Sequence, residues 1–191
     1  MPRRPEIGES FFMDELGVIH GRFQVLHLGH VEFILAAKAR CRHLIIGITN
    51  PEPEASGYDN TCPHRSQQSA NPFTYYERHQ MLVALLTEAG VARADYDIVP
   101  FPINFPDKLG YYAPGNAKYY LTIYDAWGEK KLEVLRGLGL EVSVLWRDRE
   151  RITSGQEVRT LIAAAKPWAH LVPATVHQFI LKHGLDRRIR V

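Results

Sequence analysis

Two patterns of apolar positions alternate along the chain. Leu16-Gly-Val-Ile-His20 is a short, almost continuous apolar run. After a glycine-containing turn, Val31, Ile34 and Leu35 recur at helical spacing up to Ala37. His43-Leu-Ile-Ile-Gly-Ile-Thr49 is again nearly unbroken, as expected of a strand in a parallel sheet covered by helices on both faces. A polar stretch rich in Pro, Ser, Glu and Gln then runs from Asn50 to about Asn71, and a loop of that length inside a compact domain is functional or mobile. Thr74 with Glu77 forms a capping box, followed by Arg78, Met81, Leu82, Leu85, Leu86 and Ala89 at helical spacing and by a stop at Gly90. A strand over Tyr96–Phe101 leads into an irregular aromatic loop over 102–116. Strand Tyr119–Ile123, a helix from Ala126 to about Leu138 and strand Glu141–Trp146 follow. Ser154-Gly-Gln-Glu157 is a second capping box, opening a helix to about Ala165, and a last helix from Pro173 to about Lys182 carries Val176, Phe179 and Ile180 on one face.

Strands alternating with helices imply βαβ units. The expected fold is α/β, a Rossmann-like doubly wound parallel sheet of about five strands with right-handed crossovers and a C-terminal helical segment. Residues 1–191 read as a single domain, with a disordered leader over 1–14 and a loose basic tail over 186–191. No internal repeat or low-complexity tract interrupts it. Ligands in such sheets sit beyond the carboxyl ends of the strands.

Composition narrows the class of partner. The chain is 46% hydrophobic and 23% charged, and its formal net charge of +2 is too small for gripping nucleic acid by bulk charge. No apolar run is long enough to span a membrane, and the N-terminal residues lack the apolar stretch of a secretory signal. Cys41 and Cys62 cannot make a disulfide framework and lack metal-site spacing. A cytoplasmic location is expected, and a homo-oligomer is compatible with the sequence.

Two strand-to-helix junctions carry the chemistry. The first reads Gly21-Arg-Phe-Gln-Val-Leu-His27-Leu-Gly29-His30. Gly21 and Gly29 allow backbone to approach a ligand, and the helix N-terminus offers free N–H groups and the positive end of its dipole. His27 and His30, one turn apart, can both face one polyphosphate. Histidines merely capping a helix would account for His27 and His30 alone, but not for Gly-Arg-Phe-Gln directly after a strand. The second junction, Ile152-Thr-Ser154-Gly155-Gln156-Glu157-Val158-Arg159, caps another helix with Ser154 and places Arg159 one turn further in. Among the remaining candidates, His64, Arg65 and Lys108 could supply charge for a compact anion, whereas Tyr111, Tyr112, Tyr119 and Tyr120 read as packing.

These residues together resemble the nucleotidyltransferases of the HxGH superfamily, and the pattern is similar to that of archaeal-type nicotinamide mononucleotide adenylyltransferases. The resemblance runs through nearly the whole chain after the leader, including Asn71-Pro-Phe-Thr74 with Glu77-Arg78, Pro100-Phe-Pro-Ile-Asn104 and Lys166-Pro-Trp-Ala-His-Leu-Val-Pro173. It implies that Gly21, Arg22, Phe23, Gln24 and Gly29 hold the nucleotide, with Thr122 and Tyr124 on the nucleobase side. It implies catalytic contacts from His27, His30 and Arg159, and closure of Ser154, Gly155 and Gln156 over the β- and γ-phosphates. Asn50, His64, Arg65, Asn71, Phe73 and Asn104 would form the acceptor side. Mg²⁺ would arrive with the triphosphate, with no protein side chain as metal ligand.

The chain departs from that family at its recognition ends. Val25 stands where the family has Pro, and Gln156 where it has Thr. The acceptor loop Phe101–Asp107 lacks the family's Trp, and Thr122-Ile-Tyr124-Asp125-Ala-Trp127-Gly128 replaces a "TGN" turn. The expected activity is transfer of a nucleoside monophosphate from ATP or CTP to a small anionic phosphate or phosphonate, releasing pyrophosphate. A nicotinamide-mononucleotide-adenylyltransferase-like enzyme is one form of this, and a CTP-dependent enzyme acting on a small phosphonate is the alternative. A non-catalytic nucleotide-binding regulatory module is the alternative of another class. The paired histidines with Arg159 argue against that module, because sensing a nucleotide needs no clamp on the leaving pyrophosphate. Nicotinamide mononucleotide is expected to be a poor acceptor.

Overall fold

The computed structural model describes residues 13–51 and 70–190. Five strands form one sheet in the order β3-β2-β1-β4-β5, every neighbouring pair parallel. They are β1 (Asp14–Gly21), β2 (Cys41–Ile48), β3 (Tyr96–Pro100), β4 (Lys118–Ile123) and β5 (Glu141–Arg147). Helices α1 (Leu28–Lys38), α2 (Tyr75–Glu88), α3 (Ala126–Gly137), α4 (Gly155–Ala163) and α5 (Ala174–Lys182) complete the frame. The expected doubly wound α/β fold is therefore present, each element within a few residues of its expected place.

Side chains of successive strand residues point to opposite faces, and both faces are buried. Ile19, Leu44, Ile46, Ile48 and Tyr120 join one core layer with residues of α1, α2, α4 and α5. Val18, Ile45, Tyr119, Leu121 and Ile123 join the other with Leu132 and Leu135 of α3. The strand order reverses between β1 and β4, so a crevice opens beyond their carboxyl ends.

Both chain ends differ from expectation. Asp14 belongs to β1, where its carboxylate accepts the Tyr120 hydroxyl and its N–H donates to the Arg40 carbonyl, so ordered structure starts inside the span expected as leader. Residues 1–12 lie outside the described residues. The tail is not loose up to Arg190. Leu185–Arg188 forms a 3₁₀ turn with Leu185 and Asp186 buried, and Arg188 pairs with Glu77 at 2.8 Å. Apolar Leu185 and Ile189 bring this segment onto the core despite its arginines.

Candidate functional site

The crevice at the β1/β4 reversal is a cavity of about 490 Å³, lined by both strand-to-helix junctions. At the first junction Gly21 ends β1, and a Cβ there would meet the Phe23 ring at 2.9 Å. Phe23 takes a positive φ of 54°, a conformation that costs a non-glycine residue ~1–2 kcal/mol, and full burial of its ring holds it there. The Phe23 ring meets that of His30 edge-on, with centroids 5.0 Å apart.

The second junction is locked to the first by backbone contact. A Cβ on Gly155 would lie 2.5 Å from the Gln24 carbonyl oxygen, so only glycine lets the N-terminus of α4 approach so closely. Arg159 donates to that same carbonyl. Ser154 caps α4 by accepting the Glu157 N–H at 3.1 Å, while the Glu157 carboxylate turns back to the Thr153 hydroxyl at 2.8 Å. The cavity thus has the N-terminal ends of both α1 and α4 on its wall, a suitable cradle for a polyphosphate.

His27 and His30 stack with centroids 3.8 Å apart. The His27 backbone N–H donates to His30 Nδ1 at 3.3 Å, so in the neutral ring the proton sits on Nε2. Burial lowers the His27 pKa to about 4, assisted by the charge of Arg151. Burial also holds His30 well below its usual value, with His27, Arg22 and Lys131 adding to the effect. Both imidazoles are therefore neutral hydrogen-bond donors at neutral pH in the ligand-free protein, and the positive charge around the cavity comes from Arg22, Lys131, Arg151 and Arg159. Arg151 is bound to Asp125 at 2.8 Å and lies over the Tyr124 ring.

Behind the first junction Arg78 is only 2% exposed, and its guanidinium donates to the carbonyls of Arg22 (3.0 Å), Thr49 (2.7 Å) and Asn50 (2.7 Å). Burial lowers its pKa to about 10, which still leaves it charged at neutral pH. It ties the ends of β1 and β2 together and places a cation under the crevice.

Most residues expected from the sequence meet here. Gly21, Arg22, Phe23, Gln24, His27, Gly29, His30, Asn50, Asn104, Thr122, Tyr124, Ser154, Gly155, Gln156 and Arg159 all line the cavity. Asn104 and Asn50 face each other, the Asn104 amide donating to the Asn50 side-chain oxygen at 3.5 Å. Two expectations are corrected. Phe73 is buried in the core, away from the cavity wall, because an apolar ring in front of helix α2 gains more from packing than from the crevice. Asn71 does not line the cavity either; its neighbour Ala70 does. Gln24 lines the cavity, with both polar ends of its side chain held by the Phe73 backbone at 2.7 and 3.0 Å, so the side chain ties down the loop while its carbonyl meets Arg159. His64 and Arg65 lie outside the described residues.

Sequence reasoning missed His20, Lys131, Trp127 and Arg151, all of which line the cavity. His20 carried a readable signal, a polar residue closing an otherwise apolar strand just before Gly21. Lys131 carried none, since it looks like any solvated lysine on an amphipathic helix.

A Rossmann-like sheet with two helix N-termini, paired histidines and an arginine around one crevice is the frame of an enzyme that handles nucleoside triphosphates. The profile of the cytidylyltransferase-like family matches residues 18–179, and the chain belongs to that family; it is a nucleotidyltransferase. It is 49% identical over 174 residues to a phosphonoformate cytidylyltransferase of Streptomyces viridochromogenes, covering 91% of this chain and 95% of that one. It is 30% identical over 177 residues to a nicotinamide-nucleotide adenylyltransferase of Thermococcus onnurineus, covering 92% and 87%. A solved bifunctional NMN adenylyltransferase/ADP ribose pyrophosphatase of Francisella tularensis shares the fold at a TM-score of 0.64 and 17% identity; the match covers 93% of this chain and about half (52%) of that one. Among the described residues no helix is long and apolar enough to cross a membrane.

Proposed function

We propose that the protein transfers CMP from Mg²⁺-bound CTP to a small phosphonate, releasing pyrophosphate. The observation that carries this reading is the 49% identity to a phosphonoformate cytidylyltransferase over 174 residues, 91% of this chain. The absence of a Trp from the acceptor loop points the same way, because a pyridine ring needs an aromatic face.

A phosphonate oxygen, already anionic, attacks the α-phosphorus in line. As that P–O bond forms, the bond from the α-phosphorus to the bridging oxygen breaks, and its electron pair leaves with pyrophosphate. No general base and no covalent nucleophile are required, so the task is positioning and charge stabilisation. The N–H groups of α1 and α4 and the neutral His27 and His30 donate to phosphate oxygens. Arg159 leaves the Gln24 carbonyl to meet the leaving pyrophosphate. Mg²⁺ carried by the triphosphate would neutralise part of its charge. Among the described residues no cluster of three His, Cys, Asp or Glu side chains could hold a metal ion.

The test is pyrophosphate release with CTP or ATP against phosphonoformate or nicotinamide mononucleotide. The expected result is a kcat/KM of ~10⁴ M⁻¹s⁻¹ or above for CTP with phosphonoformate, and far less for ATP with nicotinamide mononucleotide. The reverse order overturns the reading in favour of an adenylyltransferase. Triphosphate binding with no turnover on any acceptor would make the protein a regulatory module.

A further inference from the structure

His20 is the penultimate residue of β1 and faces the α3 side of the sheet, sharing that face with Val18 two residues before it. It lines the cavity but is only 5% exposed, and neither ring nitrogen has a hydrogen-bond partner among the described residues. Such a group costs a folded protein free energy unless something satisfies it. The ring is held firmly. It stacks on Phe101 with centroids 4.7 Å apart and planes 9° from parallel. Room for that stack comes from Gly47, the β2 residue in register with His20, where a Cβ would meet the Phe101 ring at 2.6 Å.

Three features give this spot its chemistry. Phe101 stands three residues before Asn104, so the stack belongs to the acceptor side, while Thr122 near the end of β4 and Tyr124 just after it lie toward the nucleobase side. Lys131 of α3 lines the same cavity, and its charge reaches both His20 and His30. Burial keeps the His20 imidazole neutral at neutral pH, so it offers one N–H donor and one acceptor. The Phe101 stack covers one face of the ring, so recognition there falls to the ring nitrogens rather than to a free aromatic platform.

We infer that His20 and Lys131 form a subsite for a carboxylate carried by the acceptor next to its phosphonate group, and that this subsite selects small carboxylated phosphonates over uncharged-tail phosphonates and over pyridine nucleotides. The inference rests on the phosphonate-acceptor reading above. A carboxylate accepting the His20 N–H beside the Lys131 ammonium satisfies a buried donor and places opposite charges together. It also explains a polar, unpartnered ring at the end of a strand whose neighbouring positions are apolar.

The test compares phosphonoformate with methylphosphonate, which lacks the carboxylate, at saturating CTP in the wild-type protein and in His20→Phe, His20→Gln and Lys131→Met. Phe keeps a planar ring for the stack and removes both nitrogens; Gln restores a donor and an acceptor. The ratio of kcat/KM for phosphonoformate over methylphosphonate is expected to fall by about tenfold or more in H20F and K131M, chiefly through the phosphonoformate KM, the scale of one lost hydrogen bond to a charged group. H20Q recovers part of the ratio. H20F melts no lower than the wild-type protein, because two unpartnered buried nitrogens are gone. An unchanged ratio in H20F and K131M overturns the inference and leaves the reaction assignment standing, as does a rise in the KM for CTP with no change in acceptor preference. Failure of the wild-type protein to use any phosphonate overturns the reaction assignment and the inference with it.

Discussion

At the phosphate end of the cavity, stretches of backbone interlock: Gly155 against the Gln24 carbonyl, Arg159 on that same carbonyl, and the Gln24 side chain paired with the Phe73 backbone. Toward Asn104, single side chains from separate elements share the cavity wall: His20 from β1, Asn50 after β2, Asn104 after β3 and Lys131 from α3. The first construction fixes the positions of N–H groups and tolerates little change, which suits the triphosphate chemistry common to the family. The second can change one residue at a time without disturbing the frame, which suits a specificity that drifts from one acceptor to another.

The sharpest way to break this comparison is to cut the phosphate end alone. His30→Ala and Arg159→Ala should each lower the rate of pyrophosphate release by on the order of 10²–10³, the scale for removing one preorganised donor from a charge-stabilising site. Near-normal turnover in both variants would show the junctions to be structural caps.

Arg78 underlies both ends, because its guanidinium holds the carbonyls of Arg22 on one side and of Thr49 and Asn50 on the other. Arg78→Leu leaves these carbonyls without that donor and should cost ~3 kcal/mol of stability, a fall in Tm of roughly 6–12 °C for a domain of this size. Turnover at permissive temperature should fall with every acceptor alike. A loss confined to one acceptor would mean that Arg78 serves only one end.

A further effect is a pH dependence. The unfolded chain binds a proton on His27 near pH 6.5, whereas the folded chain binds it only near pH 4. Stability from the neutral imidazole is therefore complete above pH 6.5 and is lost as the pH falls through 4, by up to ~3 kcal/mol. His20 and His30, lowered by burial in the same direction, extend the loss to lower pH. Thermal melts between pH 7 and 4 should show Tm falling, and His27→Gln should flatten part of that slope. A bound triphosphate attracts the charged form, brings the folded pKa values up toward the unfolded one and should make the fall smaller.

Contiguous motifs were legible in the sequence because their physics is local. The Thr74–Glu77 capping box forms in both directions, at 2.9 and 3.2 Å. The Ser154 box forms in one direction only, since Glu157 finds the Thr153 hydroxyl instead. The first junction was readable from Gly21 to His30 for the same reason. The acceptor wall was not, because no local rule relates His20 to Lys131, residues that come to line one cavity only once β1 and α3 are packed together. Phe73 misled because a motif's membership in a site does not say whether a given ring faces the ligand or the core. The partner of the Gln24 side chain was hidden for a similar reason: the Phe73 backbone is remote in sequence.

The contact of Gly155 and Arg159 with Gln24 has a consequence for synthesis on the ribosome. The loop after β1 is made early, yet its carbonyl meets its partner only when residue 159 has been added and α4 has folded back across the sheet. Until then the nascent chain presents half of a polyphosphate cradle, and a nucleotide can lend little help to its folding. Cellular nucleotide levels should therefore influence the last stage of maturation and leave the earlier ones untouched.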